Sequence, residues 1–107
     1  MNRFEIWIAD SSKANRPYII VSPDAVNQVA AYPFVTVIPL QDRKQRKKYP
    51  TDVWISPSGA NCLKKESIAF CQLIYTIEKT FLNFRIGMLE SAYQEKITAA
   101  FRRFLVL

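Results

Sequence analysis

The stretch Arg16-Pro17-Tyr18-Ile19-Ile20-Val21-Ser22-Pro23-Asp24 decides the fold of this chain. Ile19 to Val21 form a continuous β-branched run and Pro23-Asp24 closes it as a turn, which predicts a buried strand. Pro17 fixes its own φ and pushes Arg16 towards extended backbone, so the arginine is attached stiffly at the mouth of the strand. A guanidinium is always charged and offers a planar fork of donors that matches phosphate. An ordinary solvent-exposed arginine at a strand start is the plain alternative.

Working outward, Phe4 to Asp10 reads as a first strand with Phe4, Ile6 and Ile8 on one face. The polar segment Asp10 to Asn15 has hairpin length, and the second strand covers about Pro17 to Ser22. Pro23 to Gln28 fits one helical turn, with Ser22 as cap and Pro23 at the first position. Phe34 to Leu40 reads as a third strand, and Pro39 predicts an edge or a bulge near its end. Tyr49 to Ile55 reads as the fourth, Ser67 to Ile74 as the fifth and Arg85 to Leu89 as a short sixth. Ser91 and Gln94 predict a capping box; beyond it Tyr93, Ile97, Ala100, Phe101, Phe104 and Leu105 recur at helical spacing as one apolar face. The expected fold is mainly β: a small, partly open antiparallel barrel of five to six strands with a C-terminal helix, residues 1–107 as a single domain.

Half of the 107 residues are hydrophobic, enough for a packed core. No run of 18 apolar residues occurs, so no membrane-spanning helix is expected. Glu5 stands where the apolar region of a signal peptide would begin, and a cytoplasmic protein with two reduced cysteines, Cys62 and Cys71, is expected. Their spacing matches no zinc or haem motif. The net charge of +6 favours a polyanionic partner, although an acidic protein would fit equally. The absence of histidine removes the usual proton shuttle, excludes Ser–His and Cys–His pairs, and rules out a histidine-ligated metal. Catalysis would fall to carboxylates, arginine, lysine, tyrosine and polarised hydroxyls or amides, with no cofactor expected.

Laid out in order, these segments resemble the MazF/PemK family of toxin–antitoxin toxins. Phe4-Glu5-Ile6-Trp7-Ile8 is similar to its opening "GDIWLV" strand, Arg16 to Pro23 to its "RPxxVVSP" strand, and Asn27 to its following asparagine. Thr36 to Leu40 resembles "VxxPxT" and Tyr49 to Val53 resembles "YPTxV". Ile68 to Lys79 resembles "VALxDQIRTIDK", and Arg85 to Leu89 resembles "RIGxL". The resemblance implies an SH3-like barrel, shared with the gyrase poison CcdB, that forms a homodimer, cleaves single-stranded RNA without a metal and is silenced by a cognate antitoxin. This sequence departs from the pattern at its functional positions. Arg16 matches the family's catalytic arginine, but Gln41 and Asp42 stand where its catalytic Thr or Ser would be. Tyr75 replaces the "RTID" arginine and Glu78 its aspartate, and the first loop shrinks to Ser11-Ser12-Lys13-Ala14-Asn15.

In such cleavage the ribose 2′-hydroxyl attacks the adjacent phosphorus, which requires a proton acceptor, a proton donor and charge stabilisation on the phosphate. The candidate catalytic residues are Arg16 for the phosphate, Asp42 or Glu78 as acceptor, and Gln41 as a hydrogen-bond donor. Five of the six residues from Arg43 to Lys48 are cationic (Arg43, Lys44, Arg46, Lys47, Lys48), either a phosphate clamp at the rim shared with Arg16 or a solvated loop. Tyr49, Trp54 and Tyr75 are candidates for stacking on bases, or for the core or a dimer interface. Two functions follow: a metal-independent, sequence-specific endoribonuclease acting on mRNA, or a non-catalytic member that binds RNA, antitoxin or, like CcdB, a gyrase.

Overall fold

The computed structural model describes residues 1–10 and 15–107. Seven antiparallel strands run in chain order as β1 Glu5–Asp10, β2 Asn15–Ile20, β3 Phe34–Asp42, β4 Asp52–Ile55, β5 Ser67–Phe70, β6 Tyr75–Glu78 and β7 Phe84–Met88. Two α-helices accompany them, the single-turn α1 Asp24–Asn27 and the C-terminal α2 Ser91–Leu105, with a 3-10 turn at Lys79–Phe81. The sheet order is β4-β5-β3-β2-β1-β7, with β6 on β3, and β4 is not paired with β7. The predicted mainly β fold with a C-terminal helix therefore stands, as an open sheet of seven strands rather than five to six. Residues 11–14 of the predicted short first loop lie outside the described residues.

The nine-residue β3 is the axis of the sheet. One edge pairs with β2 (Ile19↔Ile38, Tyr18↔Pro39), while the other is shared between β6 (Phe34↔Glu78 to Val37↔Tyr75) and β5 (Leu40↔Ala69 to Asp42↔Ser67). Ile38 and Pro39 fall in the gap between these two partners. Proline has no N–H to give to a ladder, so the change of partner sits where its absence costs least. β3 is thus an interior strand, and in place of the predicted edge or bulge Pro39 marks a change of partner.

Two apolar clusters use the two faces. Ile6, Ile19, Ile38, Leu40, Val53, Ile55, Ala69 and Leu89 pack under Ile97 and Ala100 of α2. Ile20, Val35, Val37 and Leu82 form the second cluster, with Trp7, Tyr18 and Ile77 against it. Cys71 is buried and Cys62 exposed, both as free thiols.

Several boundaries differ from the sequence expectation. The fifth strand ends at Phe70, where Leu73 N–H donates to the Phe70 carbonyl at 3.0 Å, and the chain resumes on β3 as β6. The fourth strand begins only at Asp52, because Tyr49 N–H donates to Asp52 Oδ2 and Asp52 N–H to the Tyr49 carbonyl, both at 3.0 Å. Neither predicted cap forms. Ser22 Oγ donates instead to Asn27 Oδ1, with Pro23 as N-cap of α1. At α2 the N-cap is Glu90, whose carboxylate accepts from Asn61 Nδ2 at 3.1 Å, and Gln94 Nε2 donates to the Leu89 carbonyl at 2.7 Å. The apolar face of α2 reaches the core through Phe101, whereas Phe104 and Leu105 are exposed.

Candidate functional site

Arg16 stands opposite Ala9 near the start of β2, with Pro17 opposite Ile8. Its side chain is exposed and opens onto a cleft of about 490 Å³. Gln41 and Asp42 enter the same cleft from the end of β3, and Lys44 and Arg46 from the loop that follows; Ser67 lines it from β5. These groups meet because the registers Tyr18↔Pro39 and Asp42↔Ser67 lay the start of β2, the end of β3 and the start of β5 side by side.

Electrostatically the cleft is cationic. Among the described residues, Asp42 is the only carboxylate lining it, against Arg16, Lys44 and Arg46. Lys65 Nζ lies 3.5 Å from Asp42 Oδ2, and both groups are exposed. Ser67, buried, donates its hydroxyl to the Lys65 carbonyl at 2.9 Å. The arrangement offers cationic donors suited to an anion, with a carboxylate and an amide within the same cavity.

The basic loop lies over aromatic faces. Arg43 sits 4.5 Å and Lys48 5.5 Å from the centre of the Trp54 ring, and Arg46 lies 5.9 Å from that of Phe70. Cation–π contacts of this kind contribute about 0.5–1 kcal/mol each at exposed sites, enough to bias where the cations rest. Arg43 N–H also donates to the Glu66 carbonyl at 2.9 Å, and Lys44 takes a left-handed φ of 46° as the chain reverses.

Not every predicted residue meets there. Glu78 pairs with Phe34 at the opposite end of β3 and is absent from the cleft lining, and Tyr75 pairs with Val37. Tyr75 is exposed on β6 and Tyr49 is exposed in the basic loop's final turn. Lys47 is exposed and lines none of the described clefts. Ser67, which lines the cleft, carries no signal in the sequence and is brought there by its register with Asp42; Lys65 reaches the cleft's edge only through its ion pair with Asp42.

Two further groups have chemical bearing. The Cys71 thiol is pushed up from 9.0 to about 12, first by burial and then by the negative charge of Asp52. It is an inert core thiol, not a nucleophile. Among the described residues, no three Cys, Asp or Glu side chains cluster as ligands for a metal ion. No helix is long and apolar enough to cross a membrane, again among the described residues.

A family model of PemK-like, MazF-like toxins of type II toxin–antitoxin systems matches residues 2–105. None of the curated proteins matches the sequence. Among solved structures the chain is similar to an endoribonuclease in complex with its cognate antitoxin from a mycobacterial species. That match has 26% identity and a TM-score of 0.81, covering 100% of this chain and 96% of the other. A second mycobacterial endoribonuclease matches with 25% identity and a TM-score of 0.79, covering 100% and 92%. A MazE–MazF complex from Deinococcus radiodurans, at 15% identity and a TM-score of 0.76 over 98% and 94%, shares the fold alone.

Proposed function

This chain belongs to the PemK-like, MazF-like family of type II toxin–antitoxin toxins, and from that premise we propose that it is a metal-independent endoribonuclease of single-stranded mRNA. The observation that carries the reading is the convergence of Arg16, Gln41, Asp42, Lys44 and Arg46 on one cleft. Arg16 holds the non-bridging oxygens of the scissile phosphate and offsets the charge that grows on them. Asp42, released from Lys65, accepts the 2′-hydroxyl proton as that oxygen attacks phosphorus. The 5′-oxygen leaves and takes a proton from Arg16 or from solvent, giving a cyclic phosphate and a free 5′-hydroxyl. Gln41 donates an amide hydrogen bond to the phosphate and takes no part in proton transfer. The protein acts in the cytoplasm as a single domain and a homodimer, silenced by a cognate antitoxin.

One observation favours a binding-only reading, in which the chain holds RNA, its antitoxin or a gyrase without cleaving. The single carboxylate among the described residues of the cleft carries a lysine, and residues 41 and 42 offer no hydroxyl. Incubation of purified protein with a long single-stranded RNA in EDTA, beside Arg16→Ala, separates the two. Discrete fragments that vanish in the variant support the ribonuclease; intact RNA at high protein concentration overturns it.

A further inference from the structure

A second cleft, of about 510 Å³, opens at the other end of the basic loop, between that loop, β4 and α2. Lys48 and Tyr49 line it from the loop, Trp54 from β4, and Lys96 and Arg103, about two turns apart, from α2. We infer that this cleft is an extension site for single-stranded RNA, binding the phosphates and one stacked base of nucleotides that flank the scissile cleft. The inference rests on the ribonucleic-acid reading of the Arg16 cleft.

Charge is the first argument. Three cations and one carboxylate, Asp52, line the cleft. Asp52 is buried, and its Oδ2 is taken up by Tyr49 N–H at 3.0 Å. Among the described residues, Lys48, Lys96 and Arg103 form no salt bridge, unlike Arg43 with Glu66 and Lys65 with Asp42. They are unneutralised, as a phosphate site requires.

Aromatic surface is the second. Tyr49 exposes 59% of its surface beside these cations, and Lys48 lies over the Trp54 ring. Cations interleaved with an open aromatic face suit single-stranded nucleic acid, whose phosphates and bases alternate. An acidic peptide would use the cations but leave the ring without a planar partner.

Continuity is the third. Lys44 lines the first cleft and Lys48 the second. Four residue steps separate them, so their backbones lie at most about 14 Å apart. About four stacked nucleotides at 3.4 Å each cover that distance. Arg103 is held against the loop by Nη1 donating to the Pro50 carbonyl at 3.4 Å, which ties the helix to the same path.

The test uses the Arg16→Ala protein, so that RNA stays intact, with fluorescence anisotropy of a labelled dodecamer and a labelled trinucleotide across a salt series. Adding Lys96→Glu and Arg103→Glu is expected to weaken the dodecamer about tenfold and to lower its salt slope by about 2. The trinucleotide, too short to reach both clefts, keeps its affinity. Lys96→Gln alone, on an exposed helix position, is expected to lower the slope by about 1 and serves if the double variant does not fold. Unchanged dodecamer binding, or an equal loss for both oligonucleotides, overturns the extension site. Preferential binding of an oligoglutamate peptide over the dodecamer, lost in the same variants, overturns it in favour of a protein partner. Failure of the Arg16→Ala protein to bind any RNA, where the wild type also fails, removes the underlying reading as well.

Discussion

Lys65 holds its ammonium 3.5 Å from the carboxylate of Asp42, so the one acid among the described residues of the Arg16 cleft is already paired. Both partners are exposed, and a pair of that kind contributes about 0–1 kcal/mol. The lysine is therefore a loose keeper. Lys65→Met is expected to change stability by less than about 1 kcal/mol in urea and to leave RNA cleavage intact. Asp42→Asn keeps the shape but removes the proton acceptor, and is expected to lower kcat by about 10²–10⁴-fold. Equal activity of Asp42→Asn and wild type would remove the acid from the mechanism.

Arg16 is exposed at the mouth of β2, so its replacement leaves the core untouched. Arg16→Ala is expected to retain the wild-type melting temperature while cleavage falls about 10²–10³-fold, the cost of one lost oxyanion donor. Arg16→Lys, a point charge without the fork, is expected to recover only part of it. Single-turnover cleavage beside calorimetry reads both quantities.

Glu78 pairs with Phe34, eight positions along β3 from Asp42, a strand length of up to about 26 Å within one chain. Glu78→Gln is expected to leave the single-turnover rate within about twofold, far short of the effect of removing a general base. A large loss would mean that a second chain brings Glu78 to the cleft.

Gly87 has no room for a side chain. A Cβ there would stand 2.5 Å from the Asn61 carbonyl oxygen and 2.6 Å from that of Ala60, both backbone. Asn61 is itself fixed, its Oδ1 accepting from Ser58 N–H and Leu63 N–H at 3.0 Å and its Nδ2 donating to the Ser56 carbonyl and to Glu90. Gly87→Ala is expected to destabilise by about 1–3 kcal/mol or more, read from the urea midpoint at unchanged m-value.

Cys71 titrates near 12 in the folded chain against 9.0 ordinarily, because burial and then Asp52 disfavour its thiolate. The folded state thus keeps a proton that the unfolded state gives up. The stability this contributes is complete below about pH 9 and is lost as pH rises towards about 12. Cys71→Ala is expected to flatten that alkaline limb of the stability curve. In native protein a thiol reagent is expected to label Cys62 and to reach Cys71 only on unfolding.

The strands around Arg16 were legible because β-branched runs and turn residues mark them directly. The break between β5 and β6 was not, since Cys71 to Ile74 are apolar or neutral and continue the pattern of a single strand. Tyr75 and Glu78 follow that break on β6, paired with Val37 and Phe34 outside the Arg16 cleft. The caps were misread because Ser22 and Ser91 have the right chemistry at the wrong positions, with Pro23 and Glu90 before the helices. Of the charge run at Arg43 to Lys48, Lys44 and Arg46 line the Arg16 cleft and Lys48 the second one. Lys96 and Arg103 carried no such signal, since isolated cations on a helix read as solvated surface until a facing loop encloses them.

The place of β1 between β2 and β7 gives the chain an order of assembly on the ribosome. Arg16, Asp42 and Ser67 are all synthesised by residue 70, whereas β1 obtains its outer neighbour only when residues 84–88 emerge. The nascent chain thus has every residue named for the Arg16 cleft while one strand of its sheet still has a bare edge, a ready template for misassociation. Translation that halts before Phe84 leaves a sticky fragment rather than a finished toxin.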